Sequence, residues 1–286
     1  MTPMRKKNDR IAEFKLYLKK MGFSENTARV YSAAVRQYFS MYEELSVPNL
    51  KDYRQFLISS YSPNTVNARI LGINSYIKSL PAPTPGLSTE ILENCRLPAI
   101  REQQRSFLDN TISNRDYKRF KNALKKNDEM FWYFVVRFLA ATGARVSELT
   151  QIKAEHLDLG YMDLYSKGGK IRRIYFPDAL RNEASSWFHS KGVDAGFLFT
   201  NRRGVPMTSR GISGQLKKLA IRYHIPPETV YPHSFRHRFA KNFLERFNDI
   251  SLLADLMGHE SIETTRIYLT RSTKEQKELI DRLVTW

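Results

Sequence analysis

At 286 residues the chain is long enough for two domains, because single cores stop growing near about 250–300 residues and typical domains hold about 100–150. An apolar share of 42% and an aromatic share of 12% exclude a disordered chain, and one cysteine, Cys95, excludes an internal disulfide and a cysteine-rich metal site and suits a reducing cytoplasm. The 46 Lys and Arg outweigh 29 Asp and Glu to leave a net charge of +17, which points to a polyanion, nucleic acid ahead of a membrane surface. Residues 1–104 carry +6 of that excess and the remainder +11, so it is not one basic tail.

The opening "MTPMRKKNDR" is polar and no signal peptide is read in it. Ile11, Phe14, Leu18 and Met21 then recur at helical spacing, and after "GFSEN" a second stripe runs through Tyr31, Ala34, Val35, Tyr38, Phe39 and Tyr42. Ser62-Pro63 predicts a helix start, a capping hydroxyl followed by proline at the first helical position, with Val66, Ile70, Ile73 and Ile77 as its buried stripe. These elements predict a small helical bundle over 1–95 with Lys and Arg on its outer faces. "LPAPTPG" at 80–86 cannot continue a helix, and "NCRLPAIREQQRS" at 94–106 is polar, basic and interrupted by proline. A linker is therefore expected over 96–106, with a second domain over 107–286.

"SNRDYKRFKNAL" opens the second domain as a helix. "FWYFVVRFLAA" at 131–141 is too short to span a bilayer and contains Arg137, so it reads as a buried helix. Strand signals lie at 156–176, where "HLDLGYMDLYS" and "IRRIYFP" flank the turn "KGGK". From about 210 the pattern is helical again, with breaks at Pro226-Pro227, Pro232 and Gly258. A last helix would place Leu279, Ile280, Leu283 and Val284 on one face. The fold class expected is mainly α with a small antiparallel β-sheet.

Four clusters in the second domain carry possible chemistry: "ATGARVSELT" at 141–150, "SKGGKIRR" at 166–173, "HSFRHRF" at 233–239 and "LMGHESIETTRIYL" at 256–269. Taken singly each has a plain alternative. Arg145 is equally a solvated arginine near a helix start, Lys167 an exposed side chain beside a turn, His233 and Arg236 a surface pair at i, i+3, and Tyr268 a core aromatic. Taken together, two arginines, a lysine and two histidines are five donors without a carboxylate pair to suggest a metal. Arginine forks can neutralise charge growing on a phosphoryl transition state, and a tyrosine can form a covalent intermediate. His156, His189 and His224 lack ligand spacing; His233 and His237 stand at i, i+4, but "SFR" between them lacks the glutamate of a zinc hydrolase. "KGGK" fits no nucleotide phosphate loop.

In this order "TGARVSEL", "SKGGKIRRIYFP", "HSFRHRFA" and "LMGHESIETTRIYL" resemble the tyrosine recombinases, the phage-integrase and Xer type of site-specific recombinase. The resemblance covers the chain from about residue 107 onward, and more loosely the helical first part, which is similar to the family's core-binding (SAM-like) domain. It implies that Arg145 and Arg236 clamp the scissile phosphate. Lys167, or Lys170 three residues on, protonates the leaving 5′ oxygen. His233 is the acid/base partner of the tyrosine, His259 a donor to the phosphate, Tyr268 the nucleophile, and Glu148 a supporting carboxylate. The reaction implied is DNA cleavage through a 3′-phosphotyrosine and rejoining to a new strand, without metal, ATP or other cofactor. The implied partner is double-stranded DNA with inverted-repeat arms, bound between the two domains by four protomers on two sites. A free monomer and accessory DNA-bending proteins are left open, and the expected place is the cytoplasm, at the nucleoid.

Nothing before residue 10 matches the arm-binding domain of larger phage integrases, which argues against an arm-dependent reaction. The C-terminal segment docks on a neighbouring protomer in the family; packing on its own domain is the alternative. Integration, excision, inversion and resolution are not distinguished. A type IB topoisomerase would use the same donors and tyrosine, and a catalytically dead DNA-binding regulator would keep the fold. The small helical first domain argues against the one and the intact set of six against the other.

Overall fold

The computed structural model describes residues 3–80, 96–100, 110–165, 171–259, 261–268, 280–282 and 284, with side chains from residue 9 onward. The chain divides into two compact units, Met1–Gln104 and Arg105–Trp286.

The first unit is a bundle of α1 (Pro3–Lys20), α2 (Glu25–Met41), α3 (Val47–Ser60) and α4 (Pro63–Ser79). Its core takes one stripe from each helix: Phe14 and Leu18, Val35 and Tyr38, Tyr53 and Leu57, Ile70 and Ile73, all 1% exposed or less. Met21, expected to extend the first stripe, lies beyond the end of α1 and is 59% exposed. Ser24 caps α2 by accepting from the Thr27 amide at 3.2 Å, and Ser46 caps α3. Ser62 stands at the expected cap position but makes no such bond; its hydroxyl meets that of Thr65 at 3.2 Å, so preset proline geometry starts α4 without the hydroxyl.

Residues 96–100, read from sequence as linker, hydrogen-bond to this unit. Asn74 exchanges two bonds of 3.0 Å with the backbone of Leu97, and Asn67 exchanges bonds of 2.9 and 3.1 Å with that of Ile100. Two turns of α4 separate the asparagines, so both face the same side and hold an extended segment along the helix. Leu97 reaches the core, 6% exposed.

The second unit is built on α6 (Met130–Thr142), preceded by α5 (Asn114–Lys126). Phe134, Val135, Val136, Phe138 and Leu139 of α6 are fully buried, as the apolar run requires. Arg137 is accommodated by Glu183, with which it forms an ion pair, and by the Tyr133 hydroxyl at 2.8 Å. After the short α7 (Val146–Leu149) comes α8 (Ala154–Leu159), then strands β1 (Tyr161–Tyr165) and β2 (Ile171–Tyr175). "HLDL" was expected to begin the first strand and is instead the last turn of α8: Leu157 turns into the core, 3% exposed, and the helix ends at Gly160. The strands pair antiparallel, Tyr161 opposite Tyr175 and Leu164 opposite Arg172. The "KGGK" turn, with Lys167 and Lys170, lies outside the described residues.

There follow α9 (Asp178–Ser190), α10 (Ser209–Arg222), a 3₁₀ turn (Pro227–Thr229), α11 (Pro232–Arg246), α12 (Ile250–Met257) and the single-turn α13 (Glu263–Arg266). Pro232 occupies the first turn of α11, where a missing N–H costs nothing. α11 lies against α6, pinned at its start by Ser234, whose buried hydroxyl accepts from the Ile112 amide at 2.8 Å. Among the described residues no helix is long and apolar enough to cross a membrane, and no group of three or more His, Cys, Asp and Glu side chains could hold a metal.

Candidate active site

Of the helices that end at glycine, α6 at Gly143 (φ +63°) and α12 at Gly258 (φ +61°) frame the site. A helix C-terminus leaves carbonyl oxygens without intrahelical partners and carries the negative end of the helix dipole. Three arginines use those oxygens at α12. Arg172 of β2 donates from Nε to Leu256 O at 2.9 Å, Arg236 of α11 from Nη2 to Met257 O at 2.6 Å, and Arg145, at the N-cap of α7, from Nη2 to Gly258 O at 3.1 Å. Arg236 also donates from Nη1 to Gly143 O at 2.6 Å, tying the two helix ends together, and is 3% exposed. Hydrogen bonds from a charged donor are worth about 1.5–3 kcal/mol each, and here they offset the burial of a guanidinium.

Glu148 is the one carboxylate facing this group among the described residues, accepting from Arg145 Nη1 at 2.8 Å, from the Arg145 amide at 2.7 Å and from Arg172 Nη1 at 2.6 Å. Burial alone would raise its pKa, but Arg172 and the bonds from Arg145 outweigh it and hold the carboxyl below its ordinary range. Three guanidinium charges against one carboxylate leave the cluster positive. Arg236 shows the strain: burial first, then the neighbouring charges of Arg145 and Arg172, bring its pKa down to about 10. Such a site is completed by an anion, and Arg145, with a side chain 38% exposed, opens it to solvent.

His259 follows Gly258 and bridges Arg236 Nη2 at 3.0 Å to the Thr265 hydroxyl at 2.7 Å. A guanidinium can only donate, so Nε2 accepts and Nδ1–H is given to Thr265. Burial, then Arg236, Arg145 and Arg172, lower its pKa to about 4, keeping it neutral at pH 7. His233, in the first turn of α11, is exposed at the mouth of the site; burial of part of its ring and the charges of Arg236 and Arg145 lower its pKa.

Tyr268 closes the group. The helical pattern read from about residue 210 onward does not carry through it. Instead α13 ends at Arg266, the Tyr268 amide bonds Thr265 O at 3.0 Å in a turn, and the helical stripe is not continued. Ile262 and Ile267 are 44% and 37% exposed, and Leu269 lies outside the described residues. Tyr268 itself is 7% exposed and packs with Ala240, Leu253 and Met257. Its ring stacks on His259 with centroids 6.4 Å apart, and its hydroxyl meets His237 Nδ1 at 3.1 Å. Burial raises the phenol pKa, while Arg236 and Arg145 pull it back.

Of the six principal residues named from sequence, five are therefore gathered within one unit, and Lys167 lies outside the described residues. Two residues at the site went unrecognised. Arg172 shares a strand face with Ile174, which is 2% exposed, and an arginine alternating into a core face was a readable signal. His237 stands in the sequence only at i, i+4 from His233, and its contact with a tyrosine 31 positions later has no local signal.

The chain is similar to known proteins. Residues 110–275 match the model of the phage integrase family. The tyrosine recombinase XerA of Pyrococcus furiosus is 30% identical over 282 residues, covering 95% of this chain and 93% of the relative. A crystal structure of XerA recombinase covers 98% of this chain and 99% of its own at 23% identity, with a TM-score of 0.54. The XerH site-specific recombinase, bound to a palindromic difH substrate after cleavage, covers 91% and 79% at 17% identity, with a TM-score of 0.69. The chain belongs to the phage integrase family of tyrosine recombinases, enzymes of site-specific DNA recombination by strand cleavage and rejoining.

Proposed function

We propose that Tyr268 is the nucleophile of this recombinase and that it acts in its own protomer's site. The observation that carries the reading is the position of its hydroxyl in the same unit as the arginine cluster, one ring away from His259 and hydrogen-bonded to His237. Arg145 and Arg236 would take the two non-bridging oxygens of the scissile phosphate, their other N–H groups being fixed by helix-end carbonyls and Glu148. Tyr268 attacks phosphorus, a 3′-phosphotyrosine forms, and the 5′ oxygen leaves with a proton from Lys167. A 5′ hydroxyl of the partner duplex then reverses the step. Bond energy is kept in the phosphotyrosine, so neither metal nor ATP is required. His259 anchors Arg236 at Nε2 in the free enzyme; when the phosphate takes over Arg236, a proton moved to Nε2 lets His259 donate to the phosphate instead, and His233 moves protons at the open side.

On this reading the substrate is duplex DNA with inverted-repeat arms, bound by four protomers on two sites. In the C-terminal segment Ile280 and Val284 are 57% and 42% exposed, which supports docking of that apolar face on a neighbouring protomer. The test is a pool of nicked duplexes with randomised inverted-repeat arms, incubated with the full chain. Denaturation-resistant protein–DNA adducts, recovered and sequenced, are expected from the parent and absent from Tyr268→Phe. Adducts from the variant would remove Tyr268 from its role.

A further inference from the structure

The phenol has one histidine within hydrogen-bond reach among the described residues, and it is not the one the family motif designates. His237 Nδ1 stands 3.1 Å from Tyr268 Oη with ring centroids 5.5 Å apart, whereas His233 is exposed on the preceding turn of α11, its centroid 6.4 Å from that of His237. His259 lies against the tyrosine face, but its two nitrogens are engaged by Arg236 and Thr265. Resting on the reading of Tyr268 as nucleophile, we propose that His237 is the general base of strand cleavage, accepting the phenolic proton at Nδ1 and returning it during rejoining.

In cleavage the Oη–P bond forms and the P–O5′ bond breaks; the phenolic proton passes to Nδ1, and the 5′ oxygen is protonated from the leaving-group side. In rejoining the incoming 5′ hydroxyl attacks and gives its proton to the group on the leaving-group side that protonated the 5′ oxygen, the P–Oη bond breaks, and His237 gives the other proton back to the tyrosine. The groups facing the imidazole explain its resting state. Burial first, then His233 and Arg236, bring its pKa to about 4, so it is neutral and able to accept. A DNA phosphate arriving on Arg236 would offset the cation that disfavours imidazolium. Basicity therefore rises when substrate is bound, and the free enzyme's tyrosine stays protonated.

The test follows adduct formation in single turnover on a duplex recovered from the randomised pool, carrying a 5′-bridging phosphorothiolate, whose sulfur leaves without a proton. The rate then reports the tyrosine side of the reaction alone. His237→Asn puts an amide oxygen near the place of Nδ1, keeping an acceptor without a base. It should melt close to the parent yet react about 100-fold more slowly at pH 7, the ordinary worth of a general base. Its deficit should shrink at least about tenfold towards pH 9.5, as hydroxide takes over removal of the proton. The proposal is overturned if His237→Asn reacts within threefold of the parent, if its deficit is the same at all pH values, or if His233→Gln alone shows the pH-dependent loss. Adduct formation by Tyr268→Phe would instead overturn the reading on which the proposal rests.

Discussion

At the scale of single residues the site is a problem in placing cations. Arg236 occupies a position where an ammonium cannot replace it, because one group must reach Gly143 O, Met257 O and His259 together. Arg236→Lys is expected to lower the adduct rate by about 10²–10³-fold, the worth of a fixed charge-stabilising donor. Gly258 is constrained twice, by a left-handed φ of +61° and by Arg172 Cδ, 2.2 Å from where a Cβ would stand. Gly258→Ala should cost about 2–3 kcal/mol of unfolding free energy, combining left-handed strain with displacement of Arg172. All three tryptophans, Trp132, Trp187 and Trp286, belong to the second unit, so tryptophan fluorescence during urea unfolding measures that cost directly.

The same assay tests the histidines. Burial and then neighbouring positive groups hold His237 and His259 at about 4 rather than the ordinary 6.5, so the unfolded chain takes up their protons first. The stability they contribute is present above about pH 6.5 and is lost as pH falls towards 4. A loss of roughly 1–3 kcal/mol per histidine is expected after allowance for solvent screening. The urea midpoint of the parent should drop between pH 7 and 5, and that of the His237→Asn, His259→Asn double variant should drop much less. An equal drop in both would assign the effect to other groups.

Among the elements, periodicity is a good guide inside the long helices. α4 buries all four residues its spacing selects and α2 buries Ala34, Val35, Tyr38 and Phe39, while Tyr31 and Tyr42 are half-buried and Met21 falls beyond α1; a long stripe can be satisfied by only one rotation of the helix. Short elements were less legible: α8 was read as strand and α13 as part of a longer helix, because one or two turns carry too few residues for a period to emerge. The segment 96–100 was read as linker from its proline and charge, but its backbone is held by α4. Asn74→Ala removes both bonds to Leu97. Hydrogen exchange at the Leu97 amide should accelerate about tenfold or more, the effect of losing roughly 1.5 kcal/mol. Unchanged protection would mean that burial of Leu97 alone holds the segment.

For the whole molecule the dominant quantity is charge. With +6 on residues 1–104 and +11 on the remainder, both units contribute cations to a polyanion, and each neutralised phosphate releases counterions. Binding to a duplex should weaken steeply with salt, with a slope of log K on log salt on the order of −5 to −9. Fluorescence anisotropy between about 50 and 200 mM salt measures it. A slope nearer −2 would confine contact to the catalytic cluster.

The residue types gathered at the site were legible in "TGAR", "HSFR", "GHES" and the tyrosine beyond them, because short motifs keep such side chains in fixed local frames. So were the long helices and the basic character, which follow from local periodicity and summed charge. Folding in three dimensions alone brought α12's end to Arg172, Arg236 and Arg145, turned Tyr268 inward while Ile262 and Ile267 stayed exposed, and set His237 rather than His233 against the phenol. Those relations join residues up to 113 positions apart, as between Arg145 and Gly258. They depend on where helix ends leave unpaired carbonyls, a property of packed elements that no local pattern of side chains encodes.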